Sequence, residues 1–475
     1  MGFKLTRRAF LGTSAALCAT AIAAVPVRGA SDMTRLTIAR RSIDIKGRTA
    51  DVYGIAGPDG RQGLVLDVAA RFNVALDNRS GVETIIHWHG QVPSPELDGV
   101  YDTGYVTPMQ PDEVRNFDFA TRPGTHWMHA HHGLLEQSLM AAPLIVRSVD
   151  DEAADVQEVT ILLHDFTFRD PAEILAELTG GGGMDHAAMG HGGMTSGRSM
   201  DMSAMMSGAD LNDVEFDAYL ANDRTLDDPE VVRVERGGRI RLRIINGASA
   251  TAFWIDTGAV EATVLAVDGN AVQPVRGSRF PLAQAQRIDL LLDVPAGAAV
   301  PILAQREGDR VRTGIILASP GATVGRIAEE VDEDAPAVDL SLESRLIAAS
   351  GLPTKSADRR LSVMLMGDMS PYAWNFDGRS WGERRSLEVA AGERVEIELM
   401  NHSMMAHPIH LHGHHFQVVA IDGQQIAGAL RDTVLVPPMG RVSIAFDADN
   451  PGRWLMHCHN LYHMAAGMMT ELVYV

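Results

Sequence analysis

Three eight-residue stretches, spaced 168 and 155 residues apart, carry one pattern: Arg71 to Asn78 (RFNVALDN), Arg239 to Asn246 (RIRLRIIN) and Arg394 to Asn401 (RVEIELMN). Each alternates apolar and polar residues at least in part. Each therefore reads as a strand with one buried face, ended by a turn-prone Asn. A chain of 475 residues that repeats such a strand three times is organised as three similar domains of about 150 residues each. The sequence between the repeats is short apolar runs punctuated by Gly, Pro, Asn and Asp, with few long helical periods. This predicts an all-β chain of sandwich domains spanning residues 31–150, 151–335 and 336–475.

The three copies differ in their downstream residues. Nine residues after the first Asn stands His87-Trp88-His89-Gly90, and nine after the third stands His410-Leu411-His412-Gly413. Nine after the second stands Ile255-Asp256-Thr257-Gly258, which keeps the frame and lacks the histidines. A second pair of segments also matches: Pro123 to His131 ends in His129-Ala130-His131, and Pro451 to His459 ends in His457-Cys458-His459. No histidine lies between His191 and His402, so the middle domain reads as a metal-free spacer. In a strand, residues two apart point the same way, so each His-x-His pair aims two imidazoles at one point. Two pairs come from the first domain and two from the third. Eight neutral nitrogen ligands suit a cluster of two or three copper ions; a structural zinc takes four ligands.

Cysteine usage narrows the reading. Only Cys18 and Cys458 occur. Cys18 lies in an N-terminal stretch, Thr6-Arg7-Arg8-Ala9-Phe10-Leu11 followed by small uncharged residues to Val27, that resembles a twin-arginine export signal. Residues 1–30 are expected to be that leader, removed near Ala30, and the mature protein to reside in the periplasm without a stable membrane anchor. A lone thiol in an oxidising compartment is vulnerable unless buried or metal-bound. Cys458 points away from its flanking histidines, toward its own domain's interior. There it can meet His407, His463 and Met468. A thiolate, two imidazoles and a weak thioether make a blue-copper electron-transfer site.

These motifs (HWHG, HAH, HPIHLHG and HCHNLYHMAAGM) resemble the four copper-binding motifs of the multicopper oxidases, the family of laccases and bacterial cuprous oxidases. The resemblance spans the whole mature chain. It implies three cupredoxin-like Greek-key β-sandwiches and four copper ions. Substrate would be oxidised one electron at a time at a type 1 copper, and dioxygen reduced to water at a trinuclear cluster. Carried over, His407, Cys458, His463 and Met468 would hold the type 1 copper. His87 and His410 would hold the type 2 copper, and His89, His129, His131, His412, His457 and His459 the type 3 pair. Asp98 matches an acidic position expected to supply protons to oxygen reduction. Met464 stands where enterobacterial cuprous oxidases carry a glutamate, so a second proton relay is not expected there.

Substrate clues come from methionine. Gly180 to Ala209 is a low-complexity stretch carrying Met184, Met189, Met194, Met200, Met202, Met205 and Met206 with His186 and His191. It cannot build a packed core and reads as a loop inserted in the second domain. Thioethers prefer monovalent copper, and Met404, Met405, Met464 and Met469 lie close in sequence to type 1 ligands. Cu(I) is therefore the favoured reductant, with phenols or aromatic amines as the alternative. A non-catalytic copper-binding or scaffold protein is disfavoured, because storage needs no thiolate bridged to eight histidines. The formal charge of −20 argues against nucleic acid as a partner. A monomer is expected, with the twin-arginine export machinery as a protein partner and dioxygen and a small reducing substrate as its reactants. His126, His132, His164, His402, His414 and His415 are read as structural.

Overall fold

The computed structural model describes residues 33–154, 156–180, 211–235 and 238–475. Its strands form three pairs of sheets. The first pair, of four strands each, is drawn from Thr34–Ile45 to Ala141–Val146. The second pair, of six and five strands, runs from Gln157–Phe166 to Arg312–Ala318. The third, of seven and five, runs from Arg359–Met369 to Met469–Tyr474. In each domain the opening strand pairs parallel with the repeated strand: Thr34 opposite Val74, Gln157 opposite Ile240, and Arg359 opposite Val395. No helix among the described residues is long and apolar enough to cross a membrane.

The repeated strands bury their apolar face as the alternation requires. Phe72, Val74 and Leu76 are wholly buried in the first core, Ile240 and Leu242 in the second, and Val395, Ile397 and Leu399 in the third. The Asn at the end of each repeat makes the turn that its place after a strand suggests, its Oδ1 accepting from the amide of Ser80, Ala248 or Ser403 two residues on. Asn78, Asn246 and Asn401 are buried. The Asn78 amide donates to the carbonyls of Val82, Met109 and Gln110, and that of Asn246 to Thr251 and Leu282. Asn401 donates to Met405, Val436 and Pro437. In each case the side chain ties down the loop leading to the next strand, and in two domains that strand carries the histidines. A buried amide must fill its bonds, and here backbone carbonyls fill them.

The middle domain keeps the frame with an apolar strand. Phe253–Asp256 pairs antiparallel with Ala299–Arg306, placing Ile255 opposite Ala304, and Ile255 is packed into the core. The Met-rich stretch from Gly180 to Ala209, apart from Gly180 itself, lies outside the described residues.

Candidate metal centre

The pleat delivers the histidines in facing pairs. His87 stands directly opposite His129 across two strands of the first domain, and His410 opposite His457 in the third. All eight rings of the four His-x-His pairs are buried. Their inward nitrogens form three groups, within each of which the ligand atoms lie no more than 4.8 Å apart: His87, His89 and His410; His89, His129 and His459; His131, His412 and His457.

Six of the eight rings are held from outside by a hydrogen bond at their other nitrogen, whereas Nδ1 of His131 and of His459 each lies 3.9 Å from a carboxylate. His87 Nδ1 lies 2.9 Å from the Asp98 carbonyl, His410 Nδ1 2.8 Å from the Asp432 carbonyl, and His457 Nδ1 3.0 Å from the Cys458 carbonyl. His129 Nδ1 meets Glu136 Oε2 at 2.6 Å, and His412 Nδ1 meets Asp98 Oδ2 at 2.9 Å. The remaining nitrogens are the test of what the centre suits. Those of His87, His89, His129, His131, His410 and His459 are buried without a hydrogen-bond partner, and Nε2 of His412 and His457 face each other at 3.0 Å. Burial, helped by the crowding of other imidazoles, holds His89, His129, His131, His410, His412 and His459 well below the usual histidine range and His457 at about 4. Neutral rings converging their lone pairs in a dry site are costly unless a cation accepts them, and nitrogen donors of this kind suit copper.

The thiol sits on the other face of the same strand, Arg453–Cys458. Cys458 Sγ lies 3.6 Å from Nδ1 of both His407 and His463, and those two nitrogens are 3.1 Å apart. The short helix Leu461–Ala465 presents His463; Asn460 caps it by accepting from the Tyr462 and His463 amides. Met468 is wholly buried in the same core cluster, and its carbonyl accepts from the Cys458 amide at 3.1 Å. Outside, Ser403 Oγ lies 2.8 Å from His407 Nε2 and Asp213 Oδ2 lies 2.8 Å from His463 Nε2. Burial pushes the Cys458 thiol up, so a thiolate here needs a cation to form it.

Asp98, buried, joins the two halves of the cluster. Its Oδ2 accepts from His412 of the third domain, while Oδ1 lies 3.4 Å from His87 Nδ1 of the first and has no hydrogen bond. The adjoining Gly99 is needed there: at φ +79°, a Cβ would stand 1.8 Å from the Ile86 carbonyl oxygen. Of the methionines near the thiol site, Met405 is buried and Met404 is 57% exposed, whereas Met464 and Met469 pack with Val100 and Leu455.

Multicopper oxidase family profiles match residues 38–151, 157–314 and 354–475. A multicopper oxidase of Mycobacterium tuberculosis is 33% identical, over 99% of this chain and 92% of its own length. The chain belongs to the multicopper oxidases. A copper resistance protein A homolog of Pseudomonas syringae pv. tomato is 28% identical over 92% of this chain and 91% of its own. In fold the chain is similar to Fet3p, described as a multicopper oxidase that functions in iron import, with a TM-score of 0.73 at 18% identity, covering 93% of this chain and 90% of that one. The three sandwiches are accordingly cupredoxin-like, and this multicopper oxidase is a copper-binding oxidoreductase that passes electrons from a reducing substrate to dioxygen.

Sequence reading missed the acids behind the histidines. Glu136, fully buried, lies against His129 and 3.9 Å from His459 Nδ1, and burial raises its carboxyl well above the usual range. Asp432 Oδ1 accepts from His89 Nε2 at 3.0 Å, and Asp213 covers His463. Asp102 lies 3.9 Å from His131 Nδ1, its carboxyl raised by desolvation to about 6. Asp432 and Asp213 act across 343 and 250 residues and belong to no local pattern. The six histidines read as structural join no potential metal group among the described residues. Of these, His164 bonds the Gly247 carbonyl, His414 the Tyr474 hydroxyl and His415 the Gly90 carbonyl.

Proposed function

We propose that this multicopper oxidase binds four copper ions and couples one-electron oxidation of Cu(I), its favoured substrate, to four-electron reduction of dioxygen in the bacterial periplasm. The balance is four Cu(I), one dioxygen and four protons giving four Cu(II) and two waters. The observation that carries this is Cys458: its thiol meets His407 and His463 on one face of a strand whose neighbours, His457 and His459, join the eight-histidine cluster on the other. His407, Cys458, His463 and Met468 would hold the type 1 copper, His87 and His410 the type 2, and His89, His129, His131, His412, His457 and His459 the type 3 pair. Bound copper supplies the redox chemistry, accepting single electrons at the thiolate and delivering four at the cluster.

The chain's own groups do the rest. Two covalent paths, from Cys458 through the backbone to His457 and to His459, join the centres. Asp98 holds His412 with one oxygen and keeps the other free beside His87, where it can hold a proton and pass it to the oxygen being reduced. The buried rings and the apolar walls around them exclude bulk water from that exchange.

Cu(I) is favoured by the thioethers. Met404 is exposed three residues before His407, Met405 is two before it, and seven more occur between Met184 and Met206. Oxidation of phenols or aromatic amines is the second reading. It is favoured by an apolar cavity of about 110 Å³ whose walls include Leu211, Met405, Leu435, Pro437 and Asn460. Replacing Met184 to Met206 with a Gly/Ser bridge tests between them. Cu(I) oxidation should fall, chiefly at low Cu(I), with phenol oxidation and the blue band unchanged. Loss of phenol oxidation alone would sink the cuprous-oxidase reading.

A further inference from the structure

Among the described residues the middle domain adds no side chain to the potential metal groups, yet one of its side chains touches both domains that do. Arg287 opens the strand Arg287–Asp293 and is wholly buried. Its Nη1 and Nη2 donate to the two oxygens of Asp432 in the third domain at 2.7 and 2.5 Å. Its Nε donates at 3.2 Å to the carbonyl of Thr125, on the strand of the first domain that carries His129. Nη1 also reaches the Ala285 carbonyl at 3.0 Å, and the Arg287 amide donates to Asp268 Oδ1 at 2.9 Å. A planar fork bonded on both sides fixes a carboxylate in rotation as well as position.

Asp432, so fixed, faces the cluster with Oδ1. That oxygen accepts from His89 Nε2 at 3.0 Å and from the Thr433 hydroxyl at 3.0 Å. His89 differs from its seven companions. They turn Nδ1 outward and Nε2 toward the centre, whereas His89 gives Nε2 to Asp432 and leaves Nδ1 bare and buried. A ring donating from Nε2 carries its lone pair on Nδ1, so the carboxylate selects the tautomer that can bind a metal there. The glycine of HWHG fits this arrangement. At Gly90, φ +90°, a Cβ would lie 2.6 Å from Arg287 Nη2 and 3.1 Å from Asp432 Oδ2. The backbone after His89 can approach the ion pair only without a side chain.

We propose that Arg287 is a positioning residue for the trinuclear centre: by gripping both oxygens of Asp432, it makes His89 present Nδ1 to the cluster. The middle domain thereby sets the geometry of a ligand it does not carry. This rests on the assignment of His89 to the copper cluster. The test is the holoenzyme of Arg287→Lys, which keeps the charge and loses the fork. Total copper per chain and the share visible by EPR are measured with the blue absorption, because a spin-coupled Cu(II) pair is EPR-silent. The blue band should be unchanged. Cluster copper should be lost, or the EPR-visible share should rise, with oxygen uptake down roughly 10- to 100-fold. Wild-type copper, EPR-visible share and oxygen uptake in a blue Arg287→Lys protein would overturn the proposal. Wild-type protein without cluster copper would overturn the assignment beneath it instead. If Arg287→Lys does not fold, Asp432→Asn serves: its one acceptor is claimed by the guanidinium, so its amide faces His89 Nε2 and the same losses are expected. A crystal structure of the wild-type holoenzyme with His89 coordinating through Nε2 overturns the proposal irrespective of either variant.

Discussion

Replacing Asp98 with Asn separates proton supply from ligand orientation, because the structure divides those tasks between different atoms. His87 is oriented by the Asp98 backbone carbonyl at 2.9 Å, which the substitution leaves in place. His412 Nδ1 donates to Oδ2 at 2.9 Å, and an amide oxygen can accept the same bond. What is lost is the charge, and with it the free Oδ1 beside His87 that can take up a proton. Weakening one charge-assisted hydrogen bond to a neutral one costs about 1 kcal/mol, so copper content and fold should be nearly unchanged. Losing a positioned acid typically slows a reaction roughly 10²- to 10⁴-fold, about 3 to 5 kcal/mol of barrier. The assay is stopped-flow in two halves: anaerobic bleaching of the blue band by substrate, then its return on mixing with oxygen. Bleaching should run at the wild-type rate and reoxidation should slow by about 100-fold or more. Wild-type reoxidation at full copper loading would refute the reasoning and return Asp98 to a purely structural role. Slowed bleaching would show that the substitution has reached the thiolate site.

Cys458→Ser should abolish the blue absorption and turnover while a type 2 copper signal persists in EPR; a variant that stays blue would disprove the type 1 assignment. His129 or His412 substitution should keep the blue colour and stop oxygen uptake, leaving the type 1 copper reduced under air after substrate is added. The copper-free chain should lose stability in acid. Burial holds His414 at about 4 and His415 at about 3 against an unfolded value near 6.5. A folded pKa below the unfolded one gives stability that is present above about 6.5 and lost as pH falls toward the folded value. At pH 5 each ring should have cost about 2 kcal/mol relative to pH 7, measurable as a fall in urea midpoint that His415→Gln makes shallower.

The convergence of the histidines was legible in the sequence because a strand's period of two turns His-x-His spacing directly into geometry, and because the repeat marked equivalent positions in two domains. The sandwich architecture was legible for the same reason: Phe72, Ile240 and Val395 bury the faces their alternation assigns. The turn made by Asn78, Asn246 and Asn401 was legible too, but the reach of their buried amides to the carbonyls of the following loops was not, since nothing local in the sequence marks those acceptors. Glu136, Asp213 and Asp432 were illegible on stronger grounds. Each reaches its histidines only through contacts made by folding, and a lone carboxylate in a loop has no spacing to betray it.

The blank copy of the repeat shows what the histidine pattern requires of its surroundings. Ile255 occupies the frame of His87 and His410, opposite Ala304 and beside Phe280, in an unbroken apolar core. Histidines introduced there would bury lone pairs with no facing domain to complete a ligand set and no carboxylate to fix their tautomers. In the first and third domains the same strand position faces another domain, and His87 and His410, the rings at that position, are anchored from outside by the Asp98 and Asp432 carbonyls. The cluster is thus a property of the junction, and a domain whose described residues add no histidine to it still belongs to it through Arg287, whose guanidinium bonds a carbonyl of one neighbour and a carboxylate of the other.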